Sequence, residues 1–210
     1  MKTRIPLLVG PTIMIYIGLI IFNNVPITFL LFYGWLLFVP LIIYMIGGRQ
    51  RINLKKHLSV QSLWVGLTSG IIFFLAIFGG ITILKDSVLN VTELKLILAE
   101  WNFTGNLVIW LMIFLIAINP LLEEYYWREF MYNRLLEKVS ARQTMVITSF
   151  FYSLYHLLSL IFIFNFPFNV IAVFPVFIAG IIWAYLRFKL KSITASIISH
   201  SLADLGIMMV

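Results

Sequence analysis

The stretch LVIWLMIFLIAINPLLEEYYWREF, residues 107–130, decides how this chain is read. Sixteen positions, 107–122, carry no charge; then Glu123, Glu124, Arg128 and Glu129 arrive within seven residues. A run of this apolarity fits a helix crossing a hydrocarbon core of roughly 30 Å. Ionisable groups at its end are costly there and mark functional positions by default.

Working outward, the same apolar character fills the chain. Of 210 residues, 62% are hydrophobic and 11% charged, and the mean hydropathy is +1.03. Soluble domains are nearer half apolar and a quarter charged. The composition therefore implies an all-α, polytopic membrane helix bundle. Seven apolar segments are expected to be spans: about 5–22, 26–46, 63–84, 107–122, 143–164, 168–186 and 192–210. Met1-Lys-Thr-Arg leads into the first run with no A-x-A site closing it, so that run is expected to be a span or signal anchor. The absence of cysteine excludes a thiol nucleophile, a disulfide framework and cysteine-bound metals.

The net charge of +7 is explained by topology and requires no nucleic acid. With the N-terminus inside, thirteen basic residues fall on inside segments: Lys2, Arg4, Arg49, Arg51, Lys55, Lys56, Arg128, Arg134, Lys138, Arg142, Arg187, Lys189 and Lys191. Only Lys85 and Lys95 fall outside. Basic residues concentrate on the inner side of membrane proteins and favour anionic membrane lipids as partners. The expectation is a multi-pass protein of the cell membrane, N-terminus inside. The one sizeable outside connection, 85–106, suggests a short amphipathic interfacial helix that caps the bundle.

The polar residues inside spans are few. His57 lies in a basic loop and is expected to be solvated. His156 and His200 fall in mid-span, and Asp204 follows His200 by one helical turn, on the same face. If the fourth span continues to about Lys138, residues 107–138 form a helix of roughly 48 Å, with a kink at Pro120. It would turn at 139–142 and return as the fifth span. Glu123 and His156 would then lie at one depth, roughly 20 Å from the turn. His200 would lie about 14 Å from the inner surface. Glu123 or Glu124, His156 and His200 can thus meet in the inner half of the membrane.

Roles follow from residue type. Glu124 and Arg128 are spaced for an i, i+4 ion pair with the acid first. Glu123, about a quarter-turn away, stays free, and a poorly solvated carboxylate is the better proton acceptor from water. His156 could orient that water or shuttle its proton. His200 could donate to a developing oxyanion, and Asp204 could hold His200. The bland readings are a structural ion pair and a helix–helix clamp. Glu129, Arg134 and Glu137 are expected on a solvated or interfacial face.

Glu123-Glu124-x-x-x-Arg128, Tyr152-x-x-x-His156 and His200-x-x-x-Asp204 resemble the ordered motifs of the CAAX protease and bacteriocin-processing (CPBP) family of intramembrane endopeptidases, also called the abortive-infection family. FIAGIIWAYLRFKLKSITASIISHSLAD, residues 177–204, is similar to its C-terminal signature. The resemblance covers roughly 107–206, and composition with only short polar connections implies a single membrane domain over 1–210. Within it, 1–106 would supply spans without a motif and 107–206 the catalytic core. The resemblance implies hydrolysis of a peptide bond in a membrane-embedded or lipidated (prenylated) peptide. Glu123 and His156 would activate water, His200 and Asp204 would stabilise the oxyanion, and Glu124 and Arg128 would support the site. This mechanism needs no metal, and the chain has no H-E-x-x-H motif; two histidines with carboxylates could nonetheless ligate zinc. Two positions depart from the pattern. Tyr152 stands where Phe is usual. Asp204 stands where eukaryotic prenyl-protein members have Asn, although bacterial members accept Asp.

The alternatives are a proton-coupled transporter, since intramembrane Glu, His and Asp also build proton relays, and a non-catalytic immunity or binding protein. No internal repeat of the transporter kind is visible.

Overall fold

The fold comes from a computed structural model that describes residues 4–47, 59–88, 91–101 and 103–210. Lys2, the basic loop Arg49, Arg51, Lys55 and Lys56, and His57 lie outside the described residues.

Eight helices follow one another, and no strand occurs among the described residues. They are α1 (Ile5–Ile21), α2 (Val25–Gly47), α3 (Val60–Val88), α4 (Val91–Glu100), α5 (Asn106–Leu136), α6 (Ala141–Ile163), α7 (Phe168–Leu190) and α8 (Thr194–Met208). Among the described residues, α2, α3, α5, α6 and α7 are long and apolar enough to cross a membrane. The expected count of seven is therefore not reached on length alone. The first segment is the shorter apolar helix Ile5–Ile21, and α8 has 15 residues. Local sequence explains both. α1 changes to π-helical winding at Tyr16–Ile21 and stops at Asn23, whose φ of 44° is left-handed, a conformation Asn tolerates. α8 starts only after the Ser192 turn and carries His200 and Asp204. The connection 85–106 does contain a helix, α4, and beyond it Trp101 and Phe103 pack onto the core.

α5 is a composite element. Asn106–Ala117 is α-helical and is interrupted at Ile118, where Pro120 opens the next segment, Asn119–Glu124. Winding then becomes π-helical over Tyr125–Met131 before Tyr132–Leu136 completes the helix. The long helix and its break before Pro120 match the sequence reading. The π-helical stretch does not follow from any periodicity. Single π turns inside α-helices recur at functional sites, and this one begins directly after Glu124. The Tyr132 N–H reaches back to Trp127 O, and the carbonyl of Arg128 accepts from Arg187 Nε at 3.2 Å.

The return into α6 is set by a capping box. Ser140 accepts from the Gln143 N–H at 3.3 Å, and Gln143 Oε1 accepts from the Ser140 N–H at 3.0 Å. α7 ends at Lys191, left-handed with φ 55°. α8 packs along α3, where Gly66 lets the helices approach: a Cβ there would stand 3.0 Å from the Ala195 backbone. α6 pairs with α7, and α5 lies against α2, α6, α7 and α8. The N-terminal helices grip α5 through Tyr126. Its hydroxyl donates to Leu7 O at 2.6 Å and accepts from Trp35 Nε1 at 2.9 Å. Arg4 bonds the Arg134 carbonyl and pairs with Glu137. Tyr126, Trp127, Phe130 and Met131, all fully buried, form the centre of the core.

Candidate functional site

Glu123 and Glu124 are adjacent on α5, so their side chains diverge by about 100°. Both are buried. Glu124 faces a partner on each oxygen, an ion pair at Oε2 and a hydrogen bond at Oε1. Oε2 lies 3.3 Å from Arg128 Nε, one turn on, and Oε1 lies 3.1 Å from His200 Nδ1 on α8. Arg128 is fully buried as well. Its Nη2 donates to Gly180 O on α7 at 3.2 Å, and its guanidinium lies 4.6 Å from the Tyr152 ring centroid. A buried guanidinium needs such partners, and here Nε relies on the Glu124 charge while Nη1 makes no hydrogen bond.

His200 is the hub. Its ring stacks on Trp183, with centroids 4.1 Å apart and planes 19° apart, and the Trp183 N–H is anchored on Ser199 Oγ at 3.1 Å. An ionised carboxylate only accepts, so contact with Glu124 places a proton on Nδ1. The opposite edge, Nε2, faces Tyr152 Oη at 3.3 Å, Asp204 Oδ1 at 3.6 Å and Glu123 Oε2 at 3.8 Å. Three carboxylates thus surround one imidazole, with Arg128 as the fixed positive charge. Glu123 keeps one buried oxygen, Oε2, without a hydrogen-bond partner. The Tyr155 hydroxyl is likewise buried without a hydrogen bond.

The structure brings together five of the six residues singled out in the sequence: Glu123, Glu124, Arg128, His200 and Asp204. The sixth, His156, joins them through Tyr152. His156 Nδ1 donates to Tyr152 O at 2.9 Å, while the Tyr152 hydroxyl reaches His200. The His156 ring lies 4.5 Å from those of both Tyr152 and Tyr155. With Nδ1 used on its own helix, Nε2 of His156 is left as an acceptor. Among the described residues, no hydrogen bond or ion pair joins His156 to either glutamate.

Residues 104–206 match the sequence model of a family described as type II CAAX prenyl endopeptidase Rce1-like. Over this stretch, just under half of the chain, the sequence is similar to that family. No curated protein and no solved structure matches the chain. The Rce1-like match implies a peptidase, and five helices long and apolar enough to cross a membrane mark it as an integral membrane one.

Several residues of this Rce1-like site were not singled out in the sequence. Asn119 donates through Nδ2 to Asp204 Oδ2 at 3.3 Å and accepts from the Tyr33 hydroxyl at 3.0 Å. Asn119 had a readable signal, since it is a polar residue in a long apolar run. Tyr33, Tyr155 and Trp183 had none among so many aromatics. Glu129 corrects an expectation. It is not on a solvated face but pairs with Arg187 at 2.9 Å, both side chains only about a tenth exposed. Glu137 is exposed as expected. Among the described residues, no group of three or more His, Asp or Glu side chains is arranged to hold a metal ion.

Proposed function

We propose that this chain hydrolyses a peptide bond in a membrane-embedded or prenylated peptide, using a water activated by Glu123 and His156. The observation that carries the reading is the two-sided hold on His200. Glu124, itself bound to Arg128, takes Nδ1, and so Nε2 is aimed at Glu123 and Asp204.

The chemistry uses this chain's own side chains. Glu123 accepts a proton as water oxygen bonds to the scissile carbonyl carbon. The carbonyl π pair moves onto oxygen, where the Nε2–H of cationic His200 donates to it. Asp204, on the same edge, offsets the charge of the imidazolium. Collapse re-forms the carbonyl, breaks the C–N bond and releases the amine, to which Glu123 returns the proton. His156 Nε2 accepts from the attacking water and directs its lone pair. The unpartnered Glu123 Oε2 and Tyr155 hydroxyl supply polar atoms for that water.

The reading extends to a cell-membrane protein with its N-terminus inside. Arg4 on Arg134 and Glu137 sets the start of the chain beside the basic turn between α5 and α6, as the positive-inside pattern requires. Anionic lipids are the expected neighbours of Lys138 and Arg142.

The test uses the purified chain in proteoliposomes with a fluorogenic peptide ending in a farnesylated Cys-aliphatic-aliphatic-X sequence. Glu123→Gln and His156→Ala are each expected to slow cleavage by about 10²- to 10⁴-fold, the range of general acid–base catalysis. A chelator is expected to leave the rate unchanged. Wild-type rates in both variants would overturn the mechanism, and loss with chelator restored by zinc would overturn its metal-free form.

A further inference from the structure

The two oxygens of Asp204 have different jobs. Oδ1 faces His200 Nε2 at 3.6 Å, and Oδ2 accepts from Asn119 Nδ2 at 3.3 Å. An amide keeps its shape when flipped, so only its partners fix its direction. The Asp204 carboxylate does so here because it only accepts, and the Tyr33 hydroxyl, 3.0 Å from Asn119 Oδ1, donates to the amide oxygen on the other side. The flipped amide would turn its carbonyl oxygen onto a carboxylate oxygen, two acceptors face to face. The relay therefore has one direction: Tyr33 O–H to Asn119, then Asn119 N–H to Asp204.

Its members come from three helices. Tyr33 lies on α2, outside the stretch that carries the family match. Asn119 lies on α5 one turn before Glu123, hence on the same face. Asp204 lies on α8 one turn after His200. Asn119 is itself buried. A carboxylate on a two-torsion side chain can swing unless its second oxygen is held. Held through Oδ2, it keeps Oδ1 on the ring edge.

We infer that Asn119, braced by Tyr33, is a positioning residue for the hydrolytic reaction, turning one oxygen of Asp204 toward His200. The inference rests on reading His200 and Asp204 as the oxyanion-side pair. It also gives α2 a part in the site, although residues 1–106 carry no motif.

An isosteric exchange tests it. Asn119→Asp sets two carboxylates against each other at the relay, whereas Asn119→Asp combined with Asp204→Asn restores a carboxylate–amide hydrogen bond with the roles reversed. Tyr33 can still donate to the new Asp. The assay is cleavage of the farnesylated peptide in proteoliposomes, with thermal unfolding measured alongside. Asn119→Asp is expected to lower kcat by roughly 10²-fold, the cost of a misplaced catalytic group, with KM changed little. The exchanged pair is expected to recover to within about tenfold of wild type. Tyr33→Phe is expected to lower kcat while leaving KM in place. A wild-type kcat for Asn119→Asp would overturn the inference. So would an exchanged pair that melts like wild type yet stays as slow as Asn119→Asp. Glu123→Gln runs in parallel. If it cleaves at the wild-type rate, the catalytic reading fails first and takes the relay with it.

Discussion

Arg128→Met removes the one fixed cation from a pocket holding three carboxylates, and its cost can be worked from the contacts. Arg128 is fully buried and pairs with an equally buried Glu124 at 3.3 Å. It also donates to Gly180 O at 3.2 Å and lies over the Tyr152 ring. Methionine fills part of the volume but takes the cation from Glu124 Oε2, leaving this buried carboxylate held by His200 alone. Breaking a buried pair from one side costs about 3–5 kcal/mol. At roughly 2–4 °C per kcal/mol for a chain of this size, Tm should fall by about 6–20 °C. The Arg128→Met/Glu124→Gln double variant also removes the carboxylate charge. Since the two residues are in contact, their effects should not add, and the double variant should recover at least about half of the loss. Arg128→Lys should fall between, because the ammonium keeps the charge and lacks the planar fork that serves Glu124 and Gly180 together. The assay is thermal unfolding in detergent, read by intrinsic tryptophan fluorescence. A Tm for Arg128→Met close to wild type, or a double variant no more stable than the single one, would refute the ion-pair reasoning.

Three further outcomes follow from the packing. Tyr126→Phe strands the Trp35 N–H and the Leu7 carbonyl; it should cost about 1–3 kcal/mol and make α1 and α2 more accessible to limited proteolysis. Ser140→Ala removes the N-cap of α6 and should cost about 1 kcal/mol, visible as a small drop in Tm with peptidase activity retained. Gly66→Ala drives a Cβ against the Ala195 backbone; it should cost about 1–3 kcal/mol as overpacking, and it should slow cleavage as well, because α8 carries His200.

The sequence made α5, α6 and their turn legible because each signal was local. The apolar run marks the span, residues 139–142 mark the turn, and the i, i+4 spacings pair Glu124 with Arg128 and His200 with Asp204. What stayed hidden depends on which way a helix is rotated in the bundle. Glu124 was paired with Arg128, with either glutamate left open as the one that meets His200, and it is the second oxygen of Glu124 that holds His200. His156 was expected beside Glu123 at one depth, but its Nδ1 is committed to Tyr152 O. Depth follows from helical rise; azimuth does not. Glu129 looked solvated because the only visible cue was a charge near a helix end, and its partner Arg187 lies 58 residues away on another helix. Asn119 was overshadowed by the helix-breaking proline beside it.

The π-helical stretch Tyr125–Met131 has a consequence for heredity. It separates two sets of contacts on one helix: Glu123 and Glu124 on its N-terminal side turn to α8, while Glu129 and Asn133 meet Arg187 of α7. A π turn holds one residue more than an α turn in the same length, so the stretch behaves as an absorbed single-residue insertion. Losing one of its uncharged codons would leave a regular α-helix, with no gap and no missing charge. It would also rotate one set against the other by about 100°. The damage would be an error of phase, and descendants could repair it by regaining a residue anywhere within the turn.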